Sequence, residues 1–199
     1  MEADWEFEIG GDAPIIDACW HGFVDLRWTP QSARNLHERV SSLPEVIQLP
    51  ALAAVLKRLN SQHSPVWTAK CDFWPALAAG DFDAGELDAP LGSSAHAMGC
   101  YIDLLPTSDQ QWPSATILEG FCKHLCITLC AEPLRSCRVD LVVRRAFIVE
   151  GITEIGITAY ITACGATASA AQAVLESALA TFARILCPRS TVQSEGMGE

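Results

Sequence analysis

The sequence contains no uninterrupted apolar run of the roughly 18 residues that a membrane-spanning helix needs. Its first residues, Met1-Glu2-Ala3-Asp4-Trp5-Glu6, carry neither the basic residues nor the apolar stretch expected of a leader. These absences lead to the expectation of a soluble, non-exported protein with cytoplasmic localisation. Positive charge is scarce, 13 Lys and Arg against 24 Asp and Glu, for a formal net charge of −11 and a pI near 4.8. Such a chain repels phosphate backbones and anionic lipid, so neither nucleic acid nor membrane is expected as a partner, despite a local basic group of Arg138, Arg144 and Arg145.

There is no Cys-x-x-Cys and no cluster with the spacing of a diagnostic catalytic or metal motif. Cysteine itself is plentiful, with nine in the chain. Cys122, Cys126 and Cys130 lie four apart in one helical pattern, while Cys19, Cys71, Cys100 and Cys164 lie in or beside strand-like runs. With no export signal and an odd count, they read as small buried apolar side chains in a reducing compartment. Cys122, His124 and Cys126 do not make a zinc site, because position 124 points away from the face that 122 and 126 share. The acidic run Asp81-Phe82-Asp83-Ala84-Gly85-Glu86-Leu87-Asp88 lacks the ligand spacing of a calcium loop. No metal and no cofactor is therefore expected.

Charged residues make up only 19% of the chain and apolar residues 50%, with a mean hydropathy of +0.21. That surplus leaves apolar surface in search of a partner, so a homo-oligomer is expected, with a small molecule or another protein as further partners. At 199 residues and 21.5 kDa the chain suits one domain over residues 1–187, with a flexible polar tail at 188–199.

Trp5, Phe7 and Ile9 alternate with Glu6 and Glu8, an edge strand with one wet face. Ile15 to Trp28 is strand-like and long, with Gly22 marking a break. Thr29-Pro30 is a helix start, followed by helical pieces interrupted by Pro44 and Pro50. Val66 to Trp74 places Trp67, Ala69, Cys71 and Phe73 on one face and Thr68, Lys70 and Asp72 on the other. Periodicity fails from residue 75 to 98, which reads as an irregular acidic loop. Beyond it come a strand at Tyr101–Leu105, a helix after Trp112-Pro113-Ser114, and a hairpin of Arg138–Val149 with Glu154–Ala163. A final helix has Ser169 and Gln172 as a capping pair.

The expected fold is α+β, with an antiparallel or mixed sheet of five to seven strands and helices mainly on one face. Its order is ferredoxin-like (split βαβ), with an added hairpin strand and a C-terminal helix.

One pattern stands out: Asp25, Asp72, Asp103 and Asp140 each sit inside a strand-like run. An Asp flanked by apolar residues points away from the face that its neighbours bury. Four strands built alike predict one apolar face and one solvated, charged face carrying these four with Arg27, Lys70 and Arg144. Trp20, Trp28 and Trp74, at strand ends, are the aromatic candidates to line a ligand pocket beside Arg27 and Arg144.

Three functions compete. The leading expectation is a non-catalytic binding or accessory module that self-associates. A metal-assisted hydrolase or transferase would use Asp25, Lys70, Asp72, Asp103 or Asp140, provided the carboxylates converge. A small-ligand carrier would use the 75–98 loop as a flap over a cavity of several hundred Å³.

Overall fold

The structure, a computed structural model, describes residues 1–18, 24–78, 80–107, 112, 115–148 and 152–188. Strand β1 (Glu2–Glu8) and the short β2 (Ile16–Asp17) come first, followed by a 3-10 turn at Ser32–Arg34. Helices α1 (Leu36–Ser41), α2 (Pro44–Gln48) and α3 (Leu52–Leu59) then lead into β3 (Val66–Trp74) and β4 (His96–Pro106). The chain continues through α4 (Ala115–Cys130), β5 (Cys137–Ile148), β6 (Ile152–Gly165) and α5 (Ala168–Leu186).

Six strands form one mixed sheet in the order β1-β5-β6-β4-β3, with β2 continuing β1 along the same edge of β5. Both β1 and β2 run parallel to β5, and every other pairing is antiparallel. Parallel strands β4 and β5 are joined through α4 and held apart by β6, so the split βαβ unit is present. The strand flanking β4 is β3, which precedes it in the chain. Of the described residues in the expected strand from Ile15 to Trp28, Ile16–Asp17 form a strand and 24–28 join no ladder, while 19–23 lie outside the described residues.

One face of the sheet is covered by helices. Apolar residues recur every three or four positions in each long helix, so each lays one stripe on the sheet. Leu56 and Leu59 of α3, Leu118 and Leu129 of α4, and Leu175, Leu179 and Phe182 of α5 are essentially sealed. They join Cys100, Ile102 and Leu104 of β4, Leu141 of β5 and Ile161 of β6 in one core. Burying each of the larger of these side chains contributes about 1.5–3 kcal/mol relative to exposure.

Local signals explain how the helices start. The Thr29 hydroxyl accepts from Ser32 N–H at 2.9 Å while the Ser32 hydroxyl accepts from Thr29 N–H at 2.7 Å, a reciprocal cap on the 3-10 turn. The cap of α5 is Thr167, whose hydroxyl accepts from Ala170 N–H at 3.1 Å. The expected pair does not form: Gln172 donates to Glu176, and Ser169 bonds the Thr167 hydroxyl.

The described part of the 75–98 segment is folded onto the sheet, and its last residues are the start of β4. Leu87 is 2% exposed and packs with Ala97, Cys164, Leu77 and Phe82. Asp88 is paired with Arg135 at 2.9 Å and Glu86 with Arg138 at 3.8 Å. The expected tail falls almost wholly on residues 189–199, outside the described residues.

Most cysteines behave as small apolar side chains. Cys100, Cys122, Cys126, Cys137, Cys164 and Cys187 are buried free thiols, whereas Cys71 is half-buried and Cys130 is exposed. Burial pushes the thiols of Cys122 and Cys126 up to about 12 and that of Cys137 to about 11, which keeps them protonated.

Candidate functional site

The face away from the core carries the polar residues, and the ladder register arranges them in rows across the strands. One row reads Asp4, Asp140, Tyr160, Tyr101, Asp72 from β1 to β3. The next reads Glu6, Val142, Thr158, Asp103, Lys70. To one side lie Glu8, Arg144 and Gly156, and to the other Arg138, Thr162, Gly99 and Trp74.

Lys70, Asp72, Asp103, Asp140 and Arg144 therefore share the predicted face. Asp25 does not: it lies outside every strand and forms a pair with Arg27, Nη2 to Oδ2 at 2.6 Å. Burial alone would raise the Asp25 carboxyl, but the Arg27 guanidinium and backbone N–H outweigh it and hold the group below its ordinary value. The Arg27 guanidinium lies 5.1 Å from the Trp67 ring. Trp28 is half-buried in the 24–29 segment, outside the described strands. Trp20 lies outside the described residues.

Strand β3 departs from strict alternation. Thr68 faces Leu104 and Lys70 faces Asp103, so Ala69 is an extra residue and forms a bulge. Ahead of the bulge the phase is reversed from that expected: Trp67 and Ala69 pack on the open face with Ile16 and Leu105, while Thr68 turns to the helix side and bonds Asn60. Beyond the bulge Lys70, Asp72 and Trp74 fall on the open face.

Asp103 is the centre of the face and differs most from expectation. It is 6% exposed where a solvated carboxylate was predicted. The Thr158 hydroxyl donates to Asp103 Oδ1 at 2.6 Å, and Arg144 Nη1 approaches that hydroxyl at 3.4 Å. Arg144 also donates to the Tyr160 hydroxyl at 2.9 Å and to Glu8 Oε2 at 2.8 and 2.6 Å. Desolvation raises the Asp103 carboxyl above its ordinary value, outweighing the Thr158 hydrogen bond and the charges of Arg144 and Lys70. No other donor among the described residues bonds this carboxylate, and its second oxygen is not among the sealed unpartnered atoms.

Beside it lies an aromatic platform. The rings of Trp74 and Tyr160 are nearly parallel, 11° apart with centroids separated by 6.4 Å. Tyr101 sits 5.5 Å from Trp74 and 5.9 Å from Tyr160. The Lys70 ammonium is 5.9 Å from the Tyr101 ring and the Arg144 guanidinium 5.5 Å from that of Tyr160. Gly99 lets Trp74 lie close to β4: a Cβ there would stand 3.0 Å from Trp74 Cε3 and press the ring away by a few tenths of an ångström.

Asp140 is held by Arg138 at 2.6 Å, and Arg138 also faces Asp4 at 3.6 Å. Burial raises the Asp140 carboxyl in spite of that partner. Among the described residues no three His, Cys, Asp or Glu side chains group as a metal ion would require. The cavity at the acidic loop, about 600 Å³ and wide open, is lined by residues of the loop alone, from Gly80 to Ala84 and Ser94.

Tyr101, Tyr160, Thr158 and Glu8 were not singled out from sequence. Alternation had the signal: Tyr101 lies two residues from Asp103, and Thr158 and Tyr160 alternate with the inward Ile157, Ala159 and Ile161.

Searches for similar proteins gave no match to any family model, curated protein or solved structure.

Proposed function

We propose that this protein is a non-catalytic binding module that holds a small planar ring compound on the open face of its sheet. The ligand stacks on Trp74, Tyr101 and Tyr160 and donates N–H groups to Asp103. The observation that carries this reading is the continuous three-ring platform next to a desolvated carboxylate whose one hydrogen bond among the described residues comes from Thr158. The charges of Arg144 and Lys70 and the Thr158 hydroxyl do not fully offset the burial of this acid, and a donor on the ligand lowers the remaining cost. Arg144, clamped by Glu8, fixes Thr158 and Tyr160 in place.

Free heterocycles suit the site better than a nucleic acid strand, since the −11 chain repels a polyanion. A nucleophilic role has little support: Cys71 faces away, and its thiol is pushed up to about 12, mainly by burial. Among the described residues no grouping of metal ligands supports metal-assisted hydrolysis.

The test is amide-resolved NMR titration with pterin and adenine as probes. Shifts centred on Gly99–Asp103 and Thr158–Tyr160 are expected. Tyr160→Leu is expected to weaken binding about 5- to 100-fold, the loss of one ring stack. Gly99→Ala, which displaces Trp74 without touching a polar group, weakens it too. Affinity falls on acidification at a higher pH than an ordinary carboxylate would give, because protonation of Asp103 removes the acceptor. No shift from either probe at millimolar concentration overturns the proposal.

A further inference from the structure

A second cavity lies along the outer edge of β3, apart from the aromatic platform. Among the described strands β3 pairs with β4 alone and so forms one edge of the sheet. Residues 24–26 run beside that edge without joining the ladder. Between them is a cavity of about 310 Å³, within the size range of small-molecule pockets. Val24, Leu26, Leu43 and Pro44 supply an apolar wall, and the stretch from Thr68 to Asp72, bulge included, supplies the other.

The charged lining is Glu45, Asp72 and Lys70, with carboxylates in excess. Both carboxylates act as like charges on the Cys71 thiol, which lines the same slot. Asp72 Oδ1 accepts from the Phe73 N–H at 2.8 Å, the one hydrogen bond to this carboxylate among the described residues.

We propose that this slot binds a small hydrophobic amine, with its hydrocarbon part against Val24, Leu26 and Leu43 and its ammonium between Glu45 and Asp72. An apolar body alone fills the wall but leaves the carboxylates without a new partner. An anionic head meets two like charges against the one ammonium of Lys70. An ammonium satisfies both requirements, and its hydrogen bonds to carboxylates are charge-assisted. The site is independent of the open-face ligand and stands if that reading fails.

Benzylamine, benzyl alcohol and benzoate are close in shape and differ in charge, which makes them the probes. Titration of the full chain followed by amide NMR is expected to shift Ala69, Lys70 and Cys71, and to leave Tyr101 and Tyr160 in place. Benzylamine is expected to bind about tenfold more tightly than benzyl alcohol, the worth of roughly 1.4 kcal/mol for the charge-assisted contact, and benzoate not to bind. Glu45→Gln, at a half-buried position, should erase most of that preference while leaving benzyl alcohol unchanged. Leu43→Trp should fill the cavity and abolish binding of both, with an unchanged circular dichroism melt showing that the fold is intact. Equal affinity for amine and alcohol, tighter binding of benzoate, shifts confined to the platform residues, or no binding at all would each overturn the proposal.

Discussion

Asp103 is a residue whose placement works against stability at neutral pH. Its carboxyl is raised above the ordinary value by desolvation, so the folded state holds a proton more tightly than the unfolded chain does. Between the unfolded and the folded pKa the native state therefore binds more protons, and stability falls as pH rises through that window. Above the folded value the full penalty is present, and below the unfolded one it is gone. Asp103→Asn keeps an acceptor for the Thr158 hydroxyl and removes the buried charge. It is expected to raise the stability of the unliganded protein at pH 7 by on the order of 1 kcal/mol, an advantage that shrinks as pH falls toward 4. Urea unfolding of both proteins at pH 7 and pH 4 checks this, and a wild type more stable than the variant at pH 7 refutes it. Stabilisation combined with lost ligand binding is the pattern of a residue retained for function.

Among the elements, the depth of the N-cap signal can be tested at α5. Thr167→Ala removes the acceptor for Ala170 N–H and is expected to cost about 1 kcal/mol, read as a lower urea midpoint with an unchanged slope. Ser169→Ala, at the residue that the sequence pattern favoured, should cost less than half as much. Elements whose side chains obey period two without interruption were legible from sequence. The β5–β6 hairpin is one: Ile155, Ile157, Ala159, Ile161 and Ala163 alternate with Thr158 and Tyr160, and the structure keeps that phase throughout. Where one residue breaks the count, the pattern misleads. Ala69 adds a bulge in β3, so Trp67 and Thr68 exchange faces relative to the expected strand. Val24 to Arg27 alternates as a strand should, yet it stands off β3 with a cavity between. Pairing depends on the partner edge, which no local pattern encodes. The alternation puts Asp103 on the right face but not at the right exposure, since its neighbours across the ladder, Lys70 on β3 and Thr158 on β6, with Arg144 beyond on β5, are distant in sequence.

For the whole molecule, the question is what the large apolar share is for. Much of it is spent inside: small residues such as Cys100, Cys122, Ala159, Ala171 and Ala178 are fully buried along with the long aliphatic ones. Some is not, for Ile47 is 70% exposed, Ile127 61% and Phe147 46%. We propose that these surfaces support self-association, and charge decides when it occurs. Two copies each carrying −11 repel, and Glu2, Asp4, Glu6 and Glu8 along β1 set like charges opposite one another in any edge-to-edge pairing of that strand. Salt shortens the reach of that repulsion, from about 30 Å at 0.01 M to about 3 Å at 1 M, while apolar contact is untouched or strengthened. Self-association is therefore expected to grow with ionic strength, the reverse of a complex held by ion pairs. Light scattering on the eluting protein checks it: the mass near 21.5 kDa in dilute buffer should move toward twice that value in 0.5 M sodium chloride at the same protein concentration. A strict monomer in both buffers at high concentration would leave the exposed Ile127 and Phe147 without a partner copy, and a dimer that salt dissociates would assign the contact to charge instead.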